Sequence, residues 1–203
     1  KKIEISGNDR VADETIIMFS KIKIGDNIQN NDVNDLLKRL YDTNFFQDVL
    51  VEFNANLLSI IVEESPIIEN ISYTGIKSET LKEKIVSDLK LNPRSSYNEI
   101  LLNDDKNKML SSLKTLGYYF SNIEIEKKQL TNNKVDLVFN IDLGKKAKIK
   151  RISFIGNKKY KDNKLKSLIA SEEYKFWKIV SGKKYLNEGL INFDKRLLKN
   201  FYL

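Results

Sequence analysis

Ile3-Glu4-Ile5-Ser6-Gly7-Asn8 opens the chain, and the phrase returns as Ile71-Ser72-Tyr73-Thr74-Gly75 and as Ile152-Ser153-Phe154-Ile155-Gly156-Asn157. Each copy alternates apolar and polar residues and closes on a glycine, the pattern of a short strand that runs into a turn. The three glycines lie 68 and 81 residues apart. Self-similarity at such a period marks a series of small repeated units. Over 203 residues that gives three units of roughly 60–80 residues, near the lower limit for an independent core.

The segments downstream of each phrase repeat as well. After the first, the apolar pattern predicts a helix over residues 14–21 with Ile16 and Phe19 on one face, broken at Gly25-Asp26. Val33, Leu36, Leu37, Leu40 and Tyr41 then recur at i, i+3, i+4, i+7 and i+8, the stripe of an amphipathic helix, which Asn31 or Asp32 can cap. Val49, Val51 and Phe53 alternate, Asn54-Ala55-Asn56 turns the chain, and Leu57–Val62 is almost continuously apolar. The order is β-α-α-β-β. In the second unit Leu81, Ile85 and Leu89 line a helix that stops at Asn92-Pro93. Ser96 and Glu99 have capping-box spacing for a helix carrying Met109, Leu110, Leu113 and Leu116 and ending at Gly117. Ile123 and Ile125 alternate, Asn132-Asn133 turns, and residues 135–141 form the last strand. The third unit has its strand at Ile152–Ile155, a helix with Leu165, Leu168 and Ile169, and a helix with Leu190, Ile191, Leu197, Leu198 and Phe201. Tyr97 precedes Gly117 by 20 residues, and the matching Tyr185 would put that glycine past Leu203. The third unit is therefore expected to lack its last two strands.

This order implies an α+β fold class: tandem units, each a three-stranded sheet on two helices, with boundaries at 1–65, 66–144 and 145–203. A continuously apolar third strand suits the centre of a sheet, buried on both faces. The half-polar second strands, Val49–Asn54 and Ile123–Lys128, suit an edge with one row of backbone groups unpaired.

Composition excludes much chemistry. The chain has no cysteine and no histidine, which removes disulfides, thiol nucleophiles, imidazole bases and most zinc sites. The acidic pairs Glu63-Glu64 and Asp104-Asp105 read as solvated surface, and neighbours on a strand point to opposite faces, so Glu63 and Glu64 do not converge. No catalytic, cofactor-binding or metal-ligating constellation stands out, so neither an enzyme nor a cofactor is expected. No segment approaches the ~20 apolar residues of a membrane-spanning helix. The net charge of +7 conceals a gradient, from −5 over residues 1–64, through zero over 65–144, to +12 over 145–203. Such a gradient either orients partners by its field or serves solubility. Tyr118, Tyr119 and Phe120 read as two core residues and one exposed. Trp177 reads as an interface anchor or a lid on a small core.

Several phrases resemble POTRA domains of the Omp85 family. They are Ile5-Ser6-Gly7-Asn8-Asp9-Arg10-Val11 with Glu14-Thr15-Ile16, the inter-helix Ile24-Gly25-Asp26, the corner from Leu40-Tyr41-Asp42-Thr43-Asn44-Phe45-Phe46 to Val49, its echo Leu116-Gly117-Tyr118-Tyr119, and the exit Val62-Glu63-Glu64-Ser65-Pro66. Asn44 stands where a glycine is usual, and Asn tolerates the same left-handed backbone. The resemblance implies a three-stranded mixed sheet per unit. It also implies a non-enzymatic scaffold at the periplasmic face of the outer membrane, preceding a C-terminal membrane barrel that this chain does not contain. Its partners would be unfolded outer-membrane β-barrel proteins and accessory assembly lipoproteins, captured by strand addition to exposed sheet edges. On this reading the pairing residues are Gln47, Val49, Val51 and Phe53 in the first unit, and Ser121, Ile123, Ile125 and Lys127 in the second. Alternatives are a two-partner-secretion or related translocase, and KH-like RNA-binding modules, which also begin β-α-α-β-β. The basic run Lys145–Arg151 favours the last. The inter-helix segments, such as Asn92-Pro93-Arg94-Ser95, lack the Gly-X-X-Gly grip, and no nucleic-acid partner is expected.

Overall fold

A computed structural model describes residues 2–22, 30–54, 57–177 and 182–203. The expected turns at Gly25-Asp26 and Ala55-Asn56 lie outside the described residues. The first five elements are β1 (Lys2–Ser6), α1 (Asp13–Ser20), α2 (Asn30–Asp42), β2 (Phe46–Asn54) and β3 (Leu57–Glu64). The strands form one mixed sheet in the order β1-β3-β2. β1 runs parallel to β3, from Lys2 opposite Leu57 to Ser6 opposite Ile61. β2 runs antiparallel to β3, from Phe46 opposite Glu64 to Asn54 opposite Leu57. The third strand is thus central and the second lies at an edge, as their polarity predicts.

The core of this sheet joins Ile16 of α1, Leu36 and Leu40 of α2, and Phe46, Val49, Leu58, Ile60 and Val62 of the strands. Each such side chain, fully buried, contributes about 1.5–3 kcal/mol. Phe19 and Phe45 close the margin edge to face, with centroids 6.0 Å apart. Burial of β3 differs from expectation. Leu58, Ile60 and Val62 are buried, but Ile61 is 41% exposed. A continuous apolar run predicts cover on both faces, whereas the core lies on one face only, and the other face of β3 stays open.

A second three-stranded sheet is built from β4 (Ile67–Thr74), β5 (Asn122–Leu130) and β6 (Lys134–Asp142), in the order β4-β6-β5. Again the last strand is central, with Val135, Leu137, Phe139 and Ile141 buried at alternate positions. The intervening helices are α3 (Glu79–Val86) and α4 (Glu99–Thr115). Ser78 caps α3 by accepting from the Leu81 N–H. At α4 the cap is Asn98, whose Oδ1 accepts from the Ile100 and Leu101 N–H groups at 2.8 and 3.0 Å. Ser96 is engaged in a backbone bridge to Ile67 instead, so the capping box read in the sequence is displaced. Likewise α2 begins at Asn30, which places Asn31 and Asp32 inside its first turn.

The remaining elements are α5 (Asp162–Lys166), a 3-10 turn at Gly182–Lys184, and α6 (Glu188–Tyr202), capped by Asn187 through the Leu190 N–H. Residues 152–155 carry no strand, against expectation. β1 is held by hydrogen bonds to β3, and a strand needs such a partner. Among the described residues no strand pairs with 152–155, and the Ile152 N–H donates to the Glu173 carboxylate instead, at 2.8 Å. By internal contacts the chain forms two compact units, residues 1–72, 90–103 and 127–137 in one, and residues 73–89, 104–126 and 138–203 in the other. Among the described residues no helix is long and apolar enough to cross a membrane.

Candidate functional site

The outer margin of β2 is the best-defined candidate. In an antiparallel pair, residues that exchange backbone bonds with the partner alternate with residues that turn away from it. The Val49 N–H donates to the Tyr41 hydroxyl oxygen at 3.1 Å and to Asp48 Oδ1 at 2.9 Å, so Val49 faces away from β3. By the same period Val51 and Phe53 direct their backbone groups outward. One register irregularity precedes them: Phe46 pairs with Glu64 and Asp48 with Glu63, leaving Gln47 as an extra residue. Such a bulge bends and twists an edge. The Gln47 side-chain amide donates to the Glu63 carboxylate.

Beside this margin, on the open face, Leu50 stands opposite Ile61 in the register, and Leu50 is 51% exposed. Val49 points its side chain into the core, and Phe53 is exposed. In the second sheet, Ser121 falls just before β5 and donates through Oγ to the Tyr118 carbonyl at 3.0 Å. Ile123 is fully buried and Ile125 half-buried. Lys127 is exposed, with its ammonium 4.6 Å from the Tyr97 ring centroid, a cation–π distance. Val49 and Ile123 can therefore meet a partner only through backbone groups. Tyr41, Asp48, Leu50 and Ile61 belong to the same neighbourhood, and the sequence reading missed them. Tyr41 continues the apolar stripe of α2 by spacing, but its hydroxyl reaches the strand.

The end of β3 is pinned by a buried carboxylate. Glu64 Oε1 accepts from the Val11, Arg10 and Asp9 N–H groups at 2.7, 2.8 and 3.1 Å. Its Oε2 lies 3.2 Å from Arg10 Nε, and the side chain is 5% exposed. Arg10 Nη2 donates to the Ser65 carbonyl at 3.1 Å. Asp105 is buried as well. Both acidic pairs thus split into one buried and one exposed member, correcting the solvated reading. The buried members have hydrogen-bonding or electrostatic partners, the condition on which charge is buried at all.

Elsewhere, burial and Asp105 push the Tyr73 hydroxyl up to about 12. The Ile152 N–H and Lys166 hold Glu173 below the usual carboxylate range. Tyr118 and Tyr119 are half-buried and Phe120 exposed. Phe176 and Trp177 are exposed and meet edge to face at 4.7 Å, so Trp177 is no lid. In the basic run, Lys146 sits 4.7 Å from the Tyr118 ring and Lys148 4.0 Å from Tyr174. Among the described residues no group of three or more acidic side chains could hold a metal ion.

Family comparison converges on the same repeat. A profile for the POTRA family, described as a surface antigen variable number repeat, matches residues 1–65, 66–144 and 147–203. The chain belongs to the POTRA family. Relatives include the outer membrane protein assembly factor BamA of Neisseria meningitidis serogroup B, 31% identical over 98% of this chain and 25% of that protein. The BamA of Neorickettsia risticii is 27% identical over 99% of this chain and 27% of that protein. This POTRA chain therefore spans about a quarter of the length of those relatives. Among solved structures, POTRA3-5 of Haemophilus influenzae BamA gives a TM-score of 0.45 at 16% identity, covering 98% of this chain and 84% of that one. The N-terminal domain of Omp85 from Thermosynechococcus elongatus gives 0.47 at 11% identity, covering 100% and 85%.

Proposed function

We propose that this chain is the POTRA region of an outer-membrane assembly factor of the BamA kind. Its units would be residues 1–65, 66–144 and 145–203, the last without its final two strands. It works without catalysis, at the periplasmic face of the outer membrane, ahead of a membrane barrel in the full-length protein. Unfolded outer-membrane β-barrel segments add as a strand to the outer margins of β2 and β5, and accessory lipoproteins dock on the same array.

The observation that carries this reading is the outward-pointing Val49 N–H of an edge strand, whose alternation turns the Val51 N–H to the same side, beside the exposed Leu50–Ile61 pair. Backbone hydrogen bonds are indifferent to side-chain identity, so one margin can accept many client sequences. The repeat and the BamA relatives support the outer-membrane setting. Proline substitution tests the mechanism. Val51→Pro removes an outward N–H without taking a bond from β3, and edge positions tolerate proline. Val51→Pro and Ile125→Pro are expected to weaken binding of an unfolded barrel peptide by about fivefold or more, one to two hydrogen bonds' worth. Unchanged binding by both variants overturns strand addition.

A further inference from the structure

We propose that Tyr41 and Asp48 form a clasp that occupies the first outward N–H of β2 and so sets where an added strand begins to pair. The inference rests on strand addition at β2. Tyr41 lies in the last turn of α2 and is 41% exposed. Its hydroxyl accepts from the Val49 N–H at 3.1 Å and donates to Asp48 Oδ1 at 3.0 Å, while the same Oδ1 accepts from Val49 at 2.9 Å. The phenol oxygen stands at ladder distance from the nitrogen, the place that a carbonyl of an incoming strand would take. The bulge at Gln47 bends the chain immediately before it. Both features blunt the start of an edge, as proteins commonly do against unwanted pairing.

The consequence is a register. A client that pairs as far as Val49 must displace two acceptors and gains no net hydrogen bond, so its ladder begins at Val51. The exposed Leu50–Ile61 pair lies beside that segment, and a client strand begun there places its apolar side chains next to it. Tyr41 and Asp48 are positioning residues. They bind the strand edge and leave the client untouched.

The test uses the whole 203-residue chain, a synthetic ten-residue peptide of alternating valine and threonine, and two readouts: peptide affinity and amide hydrogen exchange at Val49. Tyr41→Phe leaves Asp48 on the amide, so the double variant Tyr41→Phe/Asp48→Ala opens it fully. Both side chains lie at the surface, and the variants are expected to fold. In the double variant the Val49 amide exchanges faster when the chain is alone, becomes protected when peptide is added, and affinity rises about fivefold, the value of one hydrogen bond. In the unmodified chain, peptide leaves Val49 exchange unaltered. If the double variant binds within twofold of the unmodified chain and shows no peptide-dependent protection at Val49, while Val51→Pro still weakens binding, the clasp is wrong and edge pairing survives. If Val51→Pro binds the peptide as well as the unmodified chain does, strand addition at β2 falls and the clasp with it.

Discussion

Gly7 presses so closely on Val62 that a Cβ built on it would lie 2.0 Å from the Val62 carbonyl oxygen. Gly75 repeats the relationship with Ile141 at 1.9 Å, and both glycines have φ near +85°. The glycine that closes the repeated phrase is therefore where the first strand leaves the central one. Gly156 keeps the conformation, φ +81°, but nothing lies within 4 Å of its Cβ position.

That contrast separates backbone strain from steric contact. Gly7→Ala pays both and is expected to destabilise by about 3 kcal/mol, whereas Gly156→Ala meets the conformational cost alone, about 1 kcal/mol. Urea denaturation of the two variants measures the gap. Equal losses would show that the approach to Val62 has no energetic weight.

Glu64 is expected to matter far more than its neighbour. Glu64→Ala strands the amides of Asp9, Arg10 and Val11 and leaves Arg10 without its carboxylate, a loss of about 3 kcal/mol. Glu63→Ala removes an exposed contact with Gln47 and should stay within about 0.5 kcal/mol. Thermal or chemical melts of the pair check the ranking.

Tyr73 gives a pH signature. Its folded value of about 12 lies above the ordinary 10, because burial, and secondarily Asp105, disfavour the phenolate. A raised acid contributes stability that is intact below pH 10 and is lost progressively as pH rises toward 12. Stability followed from pH 9 to 12 should therefore fall less steeply in Tyr73→Phe than in the unmodified chain. Parallel curves would contradict the assignment.

The open face of the first sheet should tune affinity without holding the fold. Leu50→Ser and Ile61→Ser each remove a half-exposed apolar group worth about 1 kcal/mol when a partner covers it. Each is expected to weaken binding of an unfolded barrel peptide about fivefold, with thermal stability nearly unchanged. Loss of stability in proportion to affinity would assign these residues to folding instead.

The features that were legible in the sequence are local ones. The alternation of Val49–Phe53 and the apolar run Leu57–Val62 reveal an edge strand and a central strand, and the spacing of Leu36 and Leu40 reveals a core stripe. Period-two and period-3.6 patterns record which face is buried: Val49, Leu58, Ile60, Val62, Leu36 and Leu40 are buried, whereas Phe53, near the end of its strand, is exposed. What failed depends on partners distant in the chain. Glu64 looks like one half of a solvated pair until the amides of residues 9–11 arrive. Ile152–Ile155 has the alternation of a strand, but alternation supplies no hydrogen-bond partner. Ile61 reads as buried because the run around it is apolar, and only the one-sided cover of the sheet exposes it. Tyr41 fits the helical stripe by spacing, while its hydroxyl is long enough to leave the stripe and reach Val49.

Amide hydrogen exchange at Val51, with and without a saturating unfolded barrel peptide, tests strand capture most directly. Its N–H faces away from β3 and should become part of a new ladder, slowing at least tenfold on binding. A peptide that binds while leaving Val51 exchange unchanged would contradict capture at this edge.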